Sequence, residues 1–574
     1  MTGMLLGALL CPCNIYAGLK IGWSFNMSIT AALLSYGWWQ GLHRVKLASS
    51  WGILENNLNQ TTASAAASIA GAGLVAPIPA LTLITNQSLA LWQLMLWVLS
   101  VSLLGVVVGL FLRPYLVAEL SFPSGIATAE TLQNIYEKGK EASRRIQALL
   151  TAGVVAASLK IFDSFSHGLA KFGIPGALHV SIPATTKASS TLSFSKLGFA
   201  LDPSLLMLGF GAIIGPRAGV SLLLGAIVAW GILLPWVIAQ GWVSIPQATP
   251  EVSLFATGLE WLLWPGVTLM VVASLMSFAL QLPGLLKTKR KSLTLSSERN
   301  ISHQKPFIAL SLLACLFVVA LQITFFDIGI FEALCAVVLT LVLAVVAARV
   351  AGETGITPIG AMGKITQMSF AVISPSNPTN NLMAANVTGG AASQCADMMH
   401  DLKAGYILKA KPEVQGVGQL LGVVAGSVVG SVVYTMLLPD PKKLLLTPQW
   451  PAPAVATWKA VAEVFMHGWQ HLPPHSTTAM GVAAFVGLLL ALAENRMSSA
   501  ALNYIPSAAS MGLAFVLPAW NSISMFLGAM LAALTFKYAK TWSTRFVLVI
   551  AAGLIAGESL VGIVDAMLGV LSFQ

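Results

Sequence analysis

Long apolar runs separated by short polar gaps recur from one end of the chain to the other. A helix that crosses a bilayer needs about 20 mainly apolar residues. Runs of that kind fall at 3–19, 22–41, 60–83, 88–112, 145–165, 199–216, 218–241 and 259–283. A second series lies at 307–326, 328–350, 357–396 (interrupted), 413–438, 476–493, 498–517, 519–538 and 544–570. The pattern predicts an all-α polytopic membrane protein with about 14 to 18 crossings, because some segments re-enter rather than span. Two stretches containing Pro and Lys, 166–197 and 439–475, read as loops outside the bilayer.

The series divides the chain into a first membrane domain, 1–283, a basic cytoplasmic linker, 284–306, and a second membrane domain, 307–574. The two membrane domains read as diverged copies. The register that places Pro203-Ser204 on Pro506-Ser507 also places Gly209 on Gly512, Ser221 on Ser524 and Gly225-Ala226 on Gly528-Ala529. A slightly different register matches Glu55 with Glu353 and Glu260 with Glu558. Duplication is a frequent feature of secondary transporters.

Composition strengthens the membrane assignment. Of 574 residues, 56% are hydrophobic and 9% charged, and the mean hydropathy is +0.80. A soluble domain carries about 25% charged residues to cover its core. The net charge of +10 collects in short gaps such as Lys287, Lys289, Arg290, Lys291, Arg299 and Lys305, which is the positive-inside bias of cytoplasmic loops and not a nucleic-acid groove. The five cysteines lie mostly inside apolar runs and read as buried thiols. The stretch 1–13 lacks a basic n-region and a cleavage site, so it reads as a span that begins abruptly, with a short basic leader expected ahead of it.

Polar clusters interrupt this apolar background. The first is Asn14-Ile-Tyr16-Ala-Gly18-Leu-Lys20, either an interhelical turn with an interfacial cation or part of a solute path. The second, Glu55-Asn56-Asn57 with Gln60, places a carboxylate and amides where hydrocarbon does not tolerate them unless they face water, protein or solute. The third, Glu119-Leu-Ser121-Phe-Pro123-Ser124-Gly125 with Thr128 and Glu130, should break a helix and expose backbone groups to ionic ligands. The fourth combines Glu353, Thr354, Lys364 and Gln367 with several breakers. Farther on, Asp397 and Asp401 share one helical face beside His400, a set suited to proton relay or to a charge-paired helix end with Lys403. His467, His471 and His475 are spaced by four, but Pro473-Pro474 interrupts them and they read as solvated loop residues.

These motifs are similar to those of the oligopeptide transporter superfamily, which includes the yellow stripe-like carriers. The resemblance is carried by Asn14 to Lys20, Glu55-Asn56-Asn57-x-x-Gln60-Thr61, Phe122-Pro123-Ser124-Gly125, Gly363-Lys364-x-Thr366-Gln367, Asp401-Leu-Lys403-Ala-Gly405 and Gly553 to Glu558. It implies about 16 spans formed by duplication and proton-driven uptake of small peptides or metal chelates. The short polar loops and the lack of a basic leader point to a compact prokaryotic member in a bacterial inner membrane, and away from plant-type metal–nicotianamine transport.

The expectation is therefore a proton-coupled secondary transporter of small peptides or peptide-like compounds, without cofactor or resident metal. Transport of metal chelates, an intramembrane enzyme built on Asp397, His400 and Asp401, and a passive channel are the alternatives. No Walker-type phosphate loop is present to make ATP the direct driver. Expected solute contacts are Asn14, Tyr16, Lys20, Asn56, Asn57, Gln60, Ser121, Ser124, Gly125, Thr128, Thr354, Lys364, Gln367 and Glu558. Expected proton carriers are Glu55, Glu119, Glu130, Glu353, Asp397, His400 and Asp401. The expected partners are the solute, protons and the lipid bilayer, with homo-oligomerisation left open and nucleic acid excluded.

Overall fold

A computed structural model describes residues 1–22, 24, 26–137, 139–165, 171–180, 190–243, 254–292, 305–355, 357, 359–502 and 504–572. The fold is helical almost throughout. The first half contains α1 (Thr2–Ile21), α2 (Ser28–Arg44), α3 (Ile53–Ala67), α4 (Pro77–Thr85), α5 (Leu91–Leu116), α6 (Pro123–Glu137) and α7 (Gly139–Phe165). It continues with α8 (Leu205–Ala226), α9 (Leu234–Ala239) and α10 (Phe255–Ser292). The second half opens with α11 (Lys305–Phe326), α12 (Ile330–Thr354), α13 (Ile359–Ile373), α14 (Pro378–Ile407) and α15 (Pro412–Leu437). Then follow α16 (Pro441–Leu444), α17 (Pro453–His467), α18 (Ser476–Arg496), α19 (Ser499–Leu502), α20 (Ala508–Val516), α21 (Ala519–Tyr538) and α22 (Lys540–Ser572). Between α7 and α8 lie two small antiparallel pairings, Phe172–Gly173 with Ala200–Leu201 and Ala177–Val180 with Ser190–Ser193.

Among the described residues, twelve helical segments are long and apolar enough to cross a membrane. Several expected spans are broken pieces instead. Residues 53–85 form α3, a 3-10 turn at Ser68–Ala72 and α4. The expected pair 199–216 and 218–241 lies on one element that breaks at Gly215, where φ is +83°. Gly211 before the break and Gly219 after it both pack against Met525–Ala529 of α21, so the chain doubles back there. Helix α10 runs on to Ser292 and α11 begins at Lys305; residues 293–304, most of the expected basic linker, lie outside the described ones.

One expectation is corrected in part. The stretch 439–475 contains α17, whose Val455, Ala456 and Trp458 are buried in the main core. Its Pro content misled the reading, because Pro453 sits at the first turn of the helix, where a missing N–H costs nothing. The histidines that follow are exposed, as expected.

Helix packing in lipid has no hydrophobic contrast to draw on and relies on close contact between small residues. The interface of α3 and α15 shows this most clearly. Gly418, Gly422 and Gly426 of α15 face Leu58, Thr62, Ala65 and Ala66 of α3, and a Cβ at Gly422 or Gly426 would collide with the Thr62 or Ala66 carbonyl. Backbone meets backbone along this stripe, and α1 packs on both helices.

Candidate functional site

A cavity of about 550 Å³ lies where the broken elements converge. Its wall is drawn from the end of α1, the turn between α3 and α4, the middle of α10, the start of α13, the middle of α14 and the starts of α17 and α20. Small and apolar groups dominate. The charged lining residues are Lys364 and Glu494. Glu494 is paired with Arg217, whose Nε also donates to the Ile505 carbonyl at 2.9 Å. Lys364 is different. It is 6% exposed, its Nζ lies 5.0 Å from the centre of the Trp458 ring, and no carboxylate among the described residues lies within 4.0 Å of it. A buried ammonium held only by a ring face is suited to an anionic group.

The turn on the cavity wall is held by amides. Asn386 Nδ2 donates to the Ala72 carbonyl at 2.9 Å, and Trp97 Nε1 donates to Asn386 Oδ1 at 2.8 Å. Gln367 Nε2 reaches Asn381 Oδ1 at 3.1 Å and the Trp458 carbonyl at 3.2 Å, so it fixes the ring under Lys364. Such side chains repay backbone groups that a helix break leaves open.

A second cluster surrounds Asp401, which is 1% exposed. Its Oδ1 accepts from Ser28 Oγ at 2.7 Å and Gln60 Nε2 at 2.6 Å, and its Oδ2 accepts from Gln419 Nε2 at 2.9 Å. Gln415 Nε2 donates to the Asp401 backbone carbonyl at 3.0 Å. Every donor is neutral, and no cation among the described residues lies within 4.0 Å of the carboxylate. Asn56, Asn57, Gln60 and Gln419 all keep buried polar atoms without a partner. Asp397 lies one turn away on the same face. An uncompensated carboxylate in this setting is poised to take up a proton or another cation.

His400 and Lys403 stand apart from that cluster. The His400 ring meets Phe122 edge-on with centroids 5.5 Å apart, and Lys403 Nζ donates to the Val117 carbonyl at 2.8 Å.

A smaller cavity, of about 360 Å³, contains Tyr16, Lys20 and Glu558. Glu558 accepts from Ser204 Oγ and from the Leu206 N–H, both at 2.7 Å, and so caps the start of α8. Lys20 Nζ lies over the rings of Trp450 and Tyr16, at 5.1 and 5.6 Å.

The expected residues thus separate. Lys364 lines the larger cavity, and Gln367 supports it. Tyr16, Lys20 and Glu558 line the smaller one. Gln60 belongs to the Asp401 cluster; Asn56 and Asn57 are buried one turn earlier on α3, with Asn56 Nδ2 donating to the Ala32 carbonyl at 3.5 Å. Asn14 Nδ2 donates to the Ala67 carbonyl at 2.9 Å and ties α1 to α3.

The break at Ser121–Thr128 lines neither cavity. Ser121 Oγ and the Phe122 N–H both donate to the Gly352 carbonyl, at 2.9 and 2.8 Å, and Gly125 abuts the His400 carbonyl. Ser124 and Thr128 bond within α6. Four expected proton carriers, Glu55, Glu119, Glu130 and Glu353, are exposed; Glu55 caps α3 through the Gly52 N–H at 3.0 Å. The Thr354 side chain lies outside the described residues.

Several site residues escaped the sequence reading: Ser28, Asn386, Gln415, Gln419, Trp450 and Trp458. Gln415 and Gln419 left a signal, two amides one turn apart at the start of an apolar helix. The others are single polar or aromatic residues whose role appears only on packing.

Comparison with known proteins agrees with this architecture. The profile of the family described as OPT oligopeptide transporter protein matches residues 1–568. A putative oligopeptide transporter of Saccharomyces cerevisiae is 22% identical, covering 99% of this chain and 95% of its own. One from Haemophilus influenzae is 24% identical, covering 96% and 92%. A probable metal-nicotianamine transporter of Oryza sativa subsp. japonica is 24% identical, covering 98% and 89%.

Proposed function

The chain belongs to the OPT oligopeptide transporter family, a family of membrane transporters, and from that premise we propose that it imports small peptides or peptide-like compounds by secondary active transport coupled to protons. The observation that carries this reading is the Lys364–Trp458 pair, an ammonium with no carboxylate within 4.0 Å among the described residues, inside a cavity lined mainly by small and apolar groups, whose other charged residue, Glu494, is paired with Arg217. A peptide brings the carboxylate that Lys364 lacks, and its side chains fit apolar walls. In this reading Asp401 carries the coupling proton, because its three neutral donors leave its charge uncompensated.

The multi-pass chain lies in the cell membrane, by this reading a bacterial inner membrane. Its halves are read as diverged copies, which is supported by matched details: Ser204 and Ser507 each cap a helix from the same register position. Likewise Ser221 Oγ accepts from the Ser507 N–H at 2.8 Å, while Ser524 Oγ donates to the Asp202 carbonyl at 3.1 Å.

A second solute class is favoured by the plant relatives, whose names give metal-nicotianamine as their cargo. A carboxylate-bearing chelate would meet the same Lys364. The test is uptake by proteoliposomes under an imposed pH gradient, with a labelled dipeptide in one arm and a ferric or nickel chelate in the other. Accumulation that follows the gradient supports proton coupling, and the active arm names the class. Accumulation in neither arm, or the same accumulation after the gradient is collapsed, overturns it.

A further inference from the structure

The smaller cavity holds three ammonium groups and three carboxylates, so it carries both signs of charge and no net charge. Most of these groups are engaged. Lys160 Nζ lies 2.7 Å from Asp163, and Glu558 is filled by Ser204 and Leu206. Lys171 Nζ sits 3.5 Å over the Trp520 ring and only 3.7 Å from Asp202. Lys20 has no carboxylate within 4.0 Å among the described residues and no hydrogen bond from Nζ to any of them. Its charge is balanced by two ring faces, which attract a cation but do not accept its N–H groups as a carboxylate does. One under-filled cation, Lys20, and one loosely held anion, Asp202, therefore face the same space. The volume lies at the small end of the range for ligand sites.

The two cavities are also neighbours. Lys20 lines the smaller and Gly22 the larger; Gln449 lines the smaller and Trp458 the larger. The end of α1 and the segment 448–458 pass side by side from one to the other, joined by the Ala452 N–H donating to the Leu19 carbonyl at 3.0 Å. These two segments thus contribute to the walls of both cavities.

We propose that the smaller cavity is a second solute site, in series with the larger one, that takes a small zwitterion, an amino acid or short peptide, with its carboxylate on Lys20 and its ammonium on Asp202. The placement in series rests on the larger cavity being the transport site. The experiment is equilibrium binding of labelled dialanine to the full chain in lipid nanodiscs, with N-acetyl-dialanine and dialanine amide as competitors. Two classes of site are expected. Lys20→Met removes one class and leaves the class that Lys364→Met removes, and Lys20→Arg restores the first. In the Lys20 class, dialanine outcompetes both blocked forms by about tenfold or more, and Asp202→Asn erases the preference over the N-acetyl form alone. Monodisperse Lys20→Met and Asp202→Asn proteins that keep both classes and all preferences overturn the proposal, as does the absence of dialanine binding. A Lys20-dependent class without a Lys364-dependent one instead overturns the transport reading of the larger cavity and leaves the zwitterion site standing.

Discussion

Gln60 Nε2 and Asp401 Oδ1 meet at 2.6 Å, joining helices α3 and α14 through a carboxylate with no cation within 4.0 Å among the described residues. An Asp401→Asn change keeps the shape and an acceptor for Ser28 and Gln60, and its NH2 meets Gln419, whose Oε1 has no partner and accepts it once the amide flips. Asp401→Asn should keep the protein folded and keep solute exchange across the membrane, while accumulation driven by a pH gradient falls by about tenfold or more. Counterflow and gradient-driven uptake, measured side by side in proteoliposomes, check this. Equal loss of both would make Asp401 a structural residue.

Lys364 offers a different kind of test. If its ammonium receives the solute carboxylate, Lys364→Met should raise the KM for a dipeptide by about ten- to hundredfold and leave its C-terminal amide little changed. Lys364→Arg should fall between, since it keeps the charge but not its compact shape. Uptake kinetics with the two solutes decide the matter; a uniform fall in rate for both would exclude carboxylate recognition.

Gly422 packs where a Cβ would strike the Thr62 carbonyl. Gly422→Val should therefore destabilise the protein by about 1–3 kcal/mol through overpacking. Thermal unfolding followed by size-exclusion in detergent reads this, with Gly481→Val as the control, because nothing lies within 4 Å of a Cβ at Gly481. Matching midpoints for the two variants would refute the packing argument.

The pair Arg217–Glu494 ties the bent α8 element to the end of α18 at the rim of the larger cavity. Both side chains are about a quarter to a third exposed, so the pair is worth about 1 kcal/mol at most. Charge reversal at either residue should lower uptake, and the double reversal should recover part of it. A double variant no better than either single one would show that the pair does not act as a unit.

The membrane fold was legible because apolar runs of spanning length have no other use in a chain with so few charges. Lys364 was legible for the same reason, as a cation with breakers on either side in an apolar stretch. The carboxylates were harder. Glu55, Glu119 and Glu353 stand at the ends of segments and Glu130 midway along the short α6, all of them exposed, whereas Asp401 is buried inside α14; exposure of this kind is decided by packing around each helix and has no local signature. α17 was hidden because Pro453 at its first turn looks, in sequence, like the proline of a loop. The splitting of Tyr16 and Lys20 from Lys364 into separate cavities has no local signature. It follows from Trp450 and Trp458, which lie on one segment yet face different spaces.

The glycine stripe between α15 and α3 has a mechanical corollary. Where peptide groups touch through missing side chains, two helices resist sliding, since any axial shift drives a Cβ into a carbonyl. Gln60 belongs to one of these helices and Gln419 to the other, so the grip on Asp401 is mounted on a stiff pair. Any displacement of α3 relative to the rest of the molecule would therefore carry α15 with it, and the grip on Asp401 would move as one beam.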